Sequence, residues 1–390
     1  MIDLNSEDVQ SILPYLDTVK YRAALSRLVR DEAFGSALRG LFPLLPWKTW
    51  TNAAQEVTHV EEFHSRLVAP MVEGLLRFNS SGLTISGLEP LKRSSHSFLI
   101  LSNHRDIVCD PTLISYCFFK EGLGSPFICL GDNLLTSPLV VDLVKLNQAI
   151  TVKRSLSPRE LLKWSRILAQ VIDHWVRFEK KPVWIAQREG RAKDGDDRTQ
   201  SGVLKMLSMG REEPFLQVIG DLHLLPVAIS YEFDPCDALK ARELYLTQKH
   251  GSYEKAPSED EESMKIGILG FKGRIHIAVG AELSPSLLEP ATHLPKREQV
   301  SWVGQRIDHE IHRSFKNWSS HYIAYDLYHQ GSEMSQHYSA EEKKFFIERM
   351  NQQFKTLHER KLFQTEDLKP MERIFLKTYA QSVIYQMETV

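Results

Sequence analysis

The sequence has little of what would mark a secreted, nucleic-acid-binding or membrane-spanning protein. Its 390 residues include only four cysteines, Cys109, Cys117, Cys129 and Cys236, with no Cys-x-x-Cys spacing. That excludes a disulfide framework and leaves free thiols in a reducing compartment as the expectation. There is no excess of positive charge: 48 Lys and Arg stand against 50 Asp and Glu, for a net charge of −2. No basic footprint is present, so nucleic acid is not an expected partner. An acidic substrate would have to be met by local cations, because the bulk field does not attract it. No apolar run approaches the roughly 18 residues that a transmembrane helix needs. At the N-terminus, Met1-Ile2-Asp3-Leu4 has an acid where a signal peptide carries Lys or Arg. The expectation is a cytoplasmic protein, or one resting on the cytoplasmic face of a membrane. A Gly-x-Ser-x-Gly turn is missing, which argues against a serine hydrolase. Gly267-Ile268-Leu269-Gly270 is too weak a glycine signature for a dinucleotide fold.

What is present is an ordinary globular composition, 42% hydrophobic and 25% charged, long enough to bury a core in one large domain or two. Residues 1–80 read mainly as helices, including a segment near 60–77 with apolar residues at helical spacing. Within them Phe34 to Trp50 is unusually apolar and broken by prolines. With Trp47, Trp50, Arg39 and Lys48 it could lie in a membrane interface, but packing as a helical cap is the plainer reading.

From about residue 81 the period changes. Leu83-Thr84-Ile85-Ser86-Gly87 alternates, and Ser97 to Ser102 is a short apolar run ending in polar residues. Phe127 to Leu130, Ala149 to Val152, Val183 to Ala186 and Leu224 to Ile229 read as further strands, and Arg274 to Val279 alternates like an edge strand. Between them Pro158 to Phe178 has an amphipathic stripe of Leu161, Trp164, Leu168, Val171 or Ile172, and Trp175. Asp110-Pro111 reads as an N-cap followed by proline at the first helical position. Ser252 to Lys265, rich in Ser, Glu and Asp, reads as a mobile loop.

Strands alternating with helices predict an α/β layer structure with ligand sites at the C-terminal strand ends. After about 295 the chain turns helical again, and Ser339-Ala340-Glu341-Glu342 is a capping box. The expected organisation is an N-terminal helical segment (1–80), an α/β core with a mixed sheet flanked by helices (81–295), and a C-terminal helical appendage (296–390).

The most informative stretch is Asn103-His104-Arg105-Asp106-Ile107-Val108-Cys109-Asp110-Pro111. A histidine after a buried strand, with two carboxylates close by, can form a His–Asp pair. The carboxylate would fix the imidazole tautomer while the free nitrogen takes a proton from an attacking hydroxyl. Taken alone, such a histidine is more often a satisfied structural residue. Cys109 could be read as a thiol nucleophile beside His104, though Ile107 and Val108 suit a small buried residue. His309 and His312, three apart on a helix, lack a third metal ligand nearby, so no metal is expected.

Four stretches fall in one order: Asn103-His104 to Asp110-Pro111, Thr151-Val152-Lys153-Arg154, Glu189-Gly190-Arg191, and Leu225-Pro226-Val227-Ala228-Ile229. Together they resemble the motifs of the PlsC-like glycerolipid acyltransferases, over roughly residues 98–235. Five residues, not the family's four, separate His104 from Asp110. Matching Asp-Pro to Asp-Pro makes Asp110 the partner and implies a one-residue insertion; Asp106 is the competitor. The family's threonine is missing after Gly190, which puts the role of Glu189 in doubt and leaves Arg191 in place.

The resemblance implies a fold like that of glycerol-3-phosphate acyltransferase, with His104 as catalytic base and Asp110 or Asp106 as its partner. It further implies that Arg154, Lys153, Glu189, Gly190, Arg191 and Lys193 bind a substrate phosphate, with Arg154 and Arg191 at adjacent strand ends. No cofactor is implied beyond the acyl-donor thioester, acyl-CoA or acyl-carrier protein, as co-substrate. The acceptor would be glycerol-3-phosphate or a lysophospholipid such as lysophosphatidate, in phospholipid synthesis, or another lipid alcohol. The alternative is a non-catalytic lipid- or acyl-carrier-binding protein with a degenerate pair. Distance discriminates: if neither Asp106 nor Asp110 reaches His104, the enzymatic reading weakens.

Overall fold

The computed structural model describes residues 2–41, 47–256 and 258–389. Seven strands form one mixed sheet: β1 (Leu83–Ser86), β2 (Leu99–Ser102), β3 (Phe127–Gly131), β4 (Ala149–Val152), β5 (Val183–Ala186), β6 (Leu224–Tyr231) and β7 (Ile275–Val279). Their order is β1-β7-β6-β2-β5-β3-β4. The strands β6, β2, β5, β3 and β4 run parallel, while β7 pairs antiparallel with β6 and carries β1 parallel to itself. The expected α/β architecture with a mixed sheet between helices is therefore present.

Alternation on the central strands divides the core. Leu99 and Leu101 of β2 face one layer, where Leu168, Val171 and Ile172 of the Pro158–Asp173 helix meet Val303, Ile307 and Ile311 of the Lys296–Ser314 helix. Ile100 faces the other, against Leu113, Ile114 and Phe118 of the Cys109–Lys120 helix. Both faces of β2 are fully buried, the usual state of a strand sandwiched between helices. The C-terminal helices Ala340–Glu359 and Leu368–Thr389 build a separate cluster from Phe346, Phe354, Phe375 and Tyr379, joined to Phe233, Ala238 and Ala241 after β6.

Several expectations change. The strand β7 is not the edge, because β1 lies outside it. Its alternation arises because Thr84 and Ser86 bond the ring of His276 on the open face of the pair, at 2.7 and 3.1 Å. Residues 259–265 are not loop but the start of the Glu259–Leu269 helix. The four acids of its first turn, Glu259 to Glu262, suit the positive end of the helix dipole. Leu161 is half exposed rather than on the inner face.

In Phe34 to Trp50, Leu38 and Trp50 are buried against Tyr21, Leu25 and Phe63, and Trp47 stacks on Trp50 at 5.3 Å. The described part of that stretch thus packs on other helices, while 42–46 lie outside the described residues. Among the described residues no helix is long and apolar enough to cross a membrane.

Candidate active site

The chain leaves β2 at Ser102 and is then locked by its own side chains. Asn103 extends the β2–β6 ladder: its Oδ1 accepts the N–H of Ile229 at 2.8 Å and its Nδ2 donates to the Ile229 carbonyl at 2.9 Å. A side chain thereby replaces a strand residue, freeing the backbone to turn at His104. Asp106 Oδ1 accepts the N–H groups of Val108 and Cys109 at 2.9 and 2.7 Å, so Asp106 caps the helix that begins at Cys109. The sequence reading had given that capping role to Asp110 and placed the helix start at Pro111. The helix instead begins two residues earlier, which moves Asp110 inside the first turn and turns its carboxylate back toward His104.

Asp110 is the partner of His104. The Nδ1 of His104 lies 2.9 Å from Asp110 Oδ2. The same oxygen accepts the N–H groups of Arg105 and Asp106, at 2.5 and 2.8 Å. Tyr231, at the end of β6, donates its hydroxyl to Oδ1 at 2.7 Å. Burial and the nearby Asp110 charge push the Tyr231 phenol well above its ordinary range, so it acts as a donor only. With every contact a donor, the Asp110 carboxylate accepts a hydrogen bond from Nδ1–H and directs the lone pair of His104 to Nε2. That nitrogen makes no hydrogen bond among the described residues. The imidazole is held edge-on to Trp184 of β5, with ring centroids 5.9 Å apart, and Trp184 Nε1 is anchored to Ser102 Oγ at 2.9 Å.

Asp106 does not reach His104 and faces the other way. Its Oδ2 is buried without a partner among the described residues and packs on Gly267, where an added Cβ would stand 2.2 Å from it. Only glycine fits there. Cys109 donates to the Gly267 carbonyl at 3.4 Å. Burial, with Asp106 and Asp110 nearby, raises its thiol well above the ordinary range, which removes the thiolate a nucleophile requires.

Behind the turn lies a buried charge network absent from the sequence reading. The Arg105 guanidinium pairs with Asp197 at 2.6 Å and with Asp234 at 3.4 Å, and Lys240 pairs with Asp234. Asp237 receives Arg349 from the C-terminal helices at 2.5 Å and the Tyr379 hydroxyl at 2.7 Å. Asp197 stands in a charged stretch with Asp194, Asp196 and Arg198, yet it is buried. Burial pushes the Asp197 and Asp234 carboxyls upward, opposed by Arg105 for the first and by Lys240 and Arg105 for the second. Charge balance, not solvent, keeps these groups in place. No local pattern announces partners 92 or more residues from Arg105 in sequence.

The basic residues are distributed unevenly. The strands β4 and β5 are separated by β3, so Arg154 and Arg191 do not follow adjacent strands as expected. Their loops meet all the same, since Arg154 Nη1 is 3.6 Å from Glu189 Oε1. Lys153 lies over the Trp164 ring at 5.7 Å. Lys193 is engaged by Glu243 at 2.5 Å.

Gly190 adopts φ +70, a left-handed turn that suits glycine, and the next residue but one, Ala192, donates its N–H to the His104 carbonyl at 2.8 Å. This ties Arg191 beside the His104 turn. Arg191 is 92% buried, from a relative exposure of 8%, and its Nη1 has no partner among the described residues. A buried donor nitrogen without a partner is costly unless a ligand completes it. His309 and His312 form no metal-binding group among the described residues; His312 instead stacks on Tyr385 at 4.0 Å.

Comparison with known proteins follows this geometry. Residues 82–230 match the family model described as Acyltransferase, which spans β1 to nearly the end of β6 and so includes His104, Asp110, Arg154 and Arg191. Dihydroxyacetone phosphate acyltransferase of Bos taurus is 24% identical over 212 residues, covering 53% of this chain and 29% of the relative. The same enzyme of Homo sapiens is 23% identical over 148 residues, 37% of this chain and 21% of the relative. The chain thus spans less than a third of the length of these relatives.

Proposed function

We propose that the protein moves a fatty acyl group from a thioester donor to a hydroxyl of a small glycerol-type phosphate, a reading supported by the match of residues 82–230 to the Acyltransferase family model. One observation carries the reading: His104 Nδ1 sits 2.9 Å from a carboxylate that only accepts, leaving Nε2 to act as a base. The extra residue before Asp110 does not separate the pair, which favours a working enzyme over a degenerate binding protein.

In this mechanism Nε2 of His104 takes the proton of the acceptor hydroxyl as its oxygen attacks the thioester carbonyl. Asp110 stabilises the imidazolium that forms. As the tetrahedral intermediate collapses, the C–S bond breaks and the proton passes from Nε2 to the leaving thiolate. Arg191, with Arg154 at the rim, holds the acceptor phosphate, which brings the hydroxyl to His104 by position rather than by chemistry. The acceptors proposed are glycerol-3-phosphate and lysophosphatidate. The named activity of the relatives adds dihydroxyacetone phosphate, a second reading of equal size and charge. The donor is acyl-CoA or acyl-carrier protein, and a membrane surface is the source or destination of the acylated product.

The test is a matrix of labelled acyl-CoA and acyl-carrier protein against the three acceptors, using the purified full chain. Transfer to at least one phosphate-bearing acceptor, with none to its dephosphorylated form, is expected. Turnover of the dephosphorylated alcohol at an equal rate would overturn the phosphate assignment, and no transfer with any pair would overturn the activity.

A further inference from the structure

At the end of the sheet away from His104, three separate segments converge. His96 precedes β2, His223 stands directly before β6, and Glu282 follows β7. His96 Nε2 lies 3.1 Å from Glu282 Oε2, and His223 Nδ1 lies 2.7 Å from Glu282 Oε1. The two imidazoles stack, with centroids 3.5 Å apart and planes at 17°. One potential ligand atom from each residue falls within 4.8 Å of the others. All three side chains are part-exposed, and His96 and Glu282 line a cavity of about 460 Å³ together with Arg93, Ser94 and Gly280. The backbone of His223 is left-handed, at φ 47.

We propose that His96, His223 and Glu282 form a binding site for a divalent transition cation of the zinc class. Two imidazoles and one carboxylate are a borderline N₂O donor set that suits zinc and disfavours the oxygen-seeking magnesium and calcium ions. Both imidazoles present a ring nitrogen to the same carboxylate instead of to separate backbone acceptors. A tetrahedral ion about 2.0–2.2 Å from each ligand needs ligand atoms roughly 3.3–3.5 Å apart. Because the side chains are part-exposed, rotation about their own bonds supplies that adjustment without moving a strand.

On binding, each imidazole offers its lone pair from the nitrogen that now faces Glu282. The ring proton then resides on Nδ1 of His96 and on Nε2 of His223. The cavity admits water as a fourth ligand. The ion would clamp the entries of β2 and β6 to the exit of β7, bracing from below the strands whose upper ends carry His104 and Tyr231. None of the three residues belongs to the acyl-transfer machinery, so this site and that activity stand or fall separately.

The experiment uses the full chain stripped of metal with a chelator, then titrated with Zn²⁺ by calorimetry and with Co²⁺ by visible absorption. One ion per chain is expected, with the intense visible bands of four-coordinate cobalt and a rise in Tm of roughly 2–4 °C. The variants H223Q and E282Q should each weaken binding about tenfold or more, while acyl transfer stays unchanged. No binding at zinc concentrations of about 100 µM would overturn the site. So would binding of equal strength in the H223Q/E282Q double variant, provided that variant melts cooperatively.

Discussion

The turn at 103–110 and the basic rim at 153–154 and 188–193 meet above the same parallel strands but are built in opposite ways. In the turn the reacting pair is held from within, Asn103 by β6, Asp110 by four donors and Arg105 by two buried aspartates, while Arg105 Nε and Asp106 Oδ2 have no partner among the described residues. On the rim, Glu189 is 71% exposed, Arg154 is partly exposed, and Arg191 has an unpartnered nitrogen although it is buried. A group that transfers protons gains from a fixed partner and fixed orientation. A group that captures a substrate must keep a donor free until the substrate arrives. The difference supports the proposed division, with the turn for chemistry and the rim, chiefly Arg191, for recognition.

Five substitutions sharpen or break that division. The largest effect should come from Asp110→Asn, which gives His104 the wrong tautomer and should lower kcat by about 10²–10⁴-fold. Asp106→Asn retains a capping side chain and should stay within about threefold of the parent. Equal losses from the two would erase the distinction between partner and cap, and a kcat series settles the matter.

Next is Arg105→Ala, which strands Asp197 as a buried carboxylate without its cation and leaves Asp234 with Lys240 alone. Urea unfolding should show a loss of roughly 3–5 kcal/mol. A change below about 1 kcal/mol, the scale of a surface pair, would mean the network is solvated after all. Arg191→Ala should raise the KM for the phosphate acceptor about 10–100-fold with a smaller change in kcat, the cost of one charged hydrogen-bonding group. A fall in kcat at constant KM would move Arg191 into the chemistry. The smallest effect is expected from Lys193→Ala: its ammonium already belongs to Glu243, so KM should change by less than about threefold.

Much of this was legible in the sequence where the signal is local. The strands at 149–152 and 183–186 were placed correctly because short apolar runs bounded by polar residues mark buried parallel strands. His104 and Asp110 were named from their neighbours and the order of four motifs. What depends on distance along the chain was not legible. Strand order is set by packing, so nothing in β4 or β5 reveals that β3 lies between them. Tyr231 reaches Asp110 across 121 residues, and the burial of Asp197 follows from Arg105, 92 positions earlier. The sequence favours Asp110 as the partner of His104, as found, but also places it at the cap, because Asp-Pro is a good helix start by local rules. Asp106 overrides it by accepting two amides ahead of Cys109.

The central claim is that His104 acts as a base through Nε2, held in place by Asp110. Its most direct test is single-turnover acyl transfer by His104→Ala beside the parent protein, with circular dichroism confirming the fold. The side chain of His104 is only 14% exposed but bears no part of the buried charge network, so the variant should fold and lose about 10³-fold or more in rate. Transfer at an undiminished rate by a folded His104→Ala protein would contradict the account.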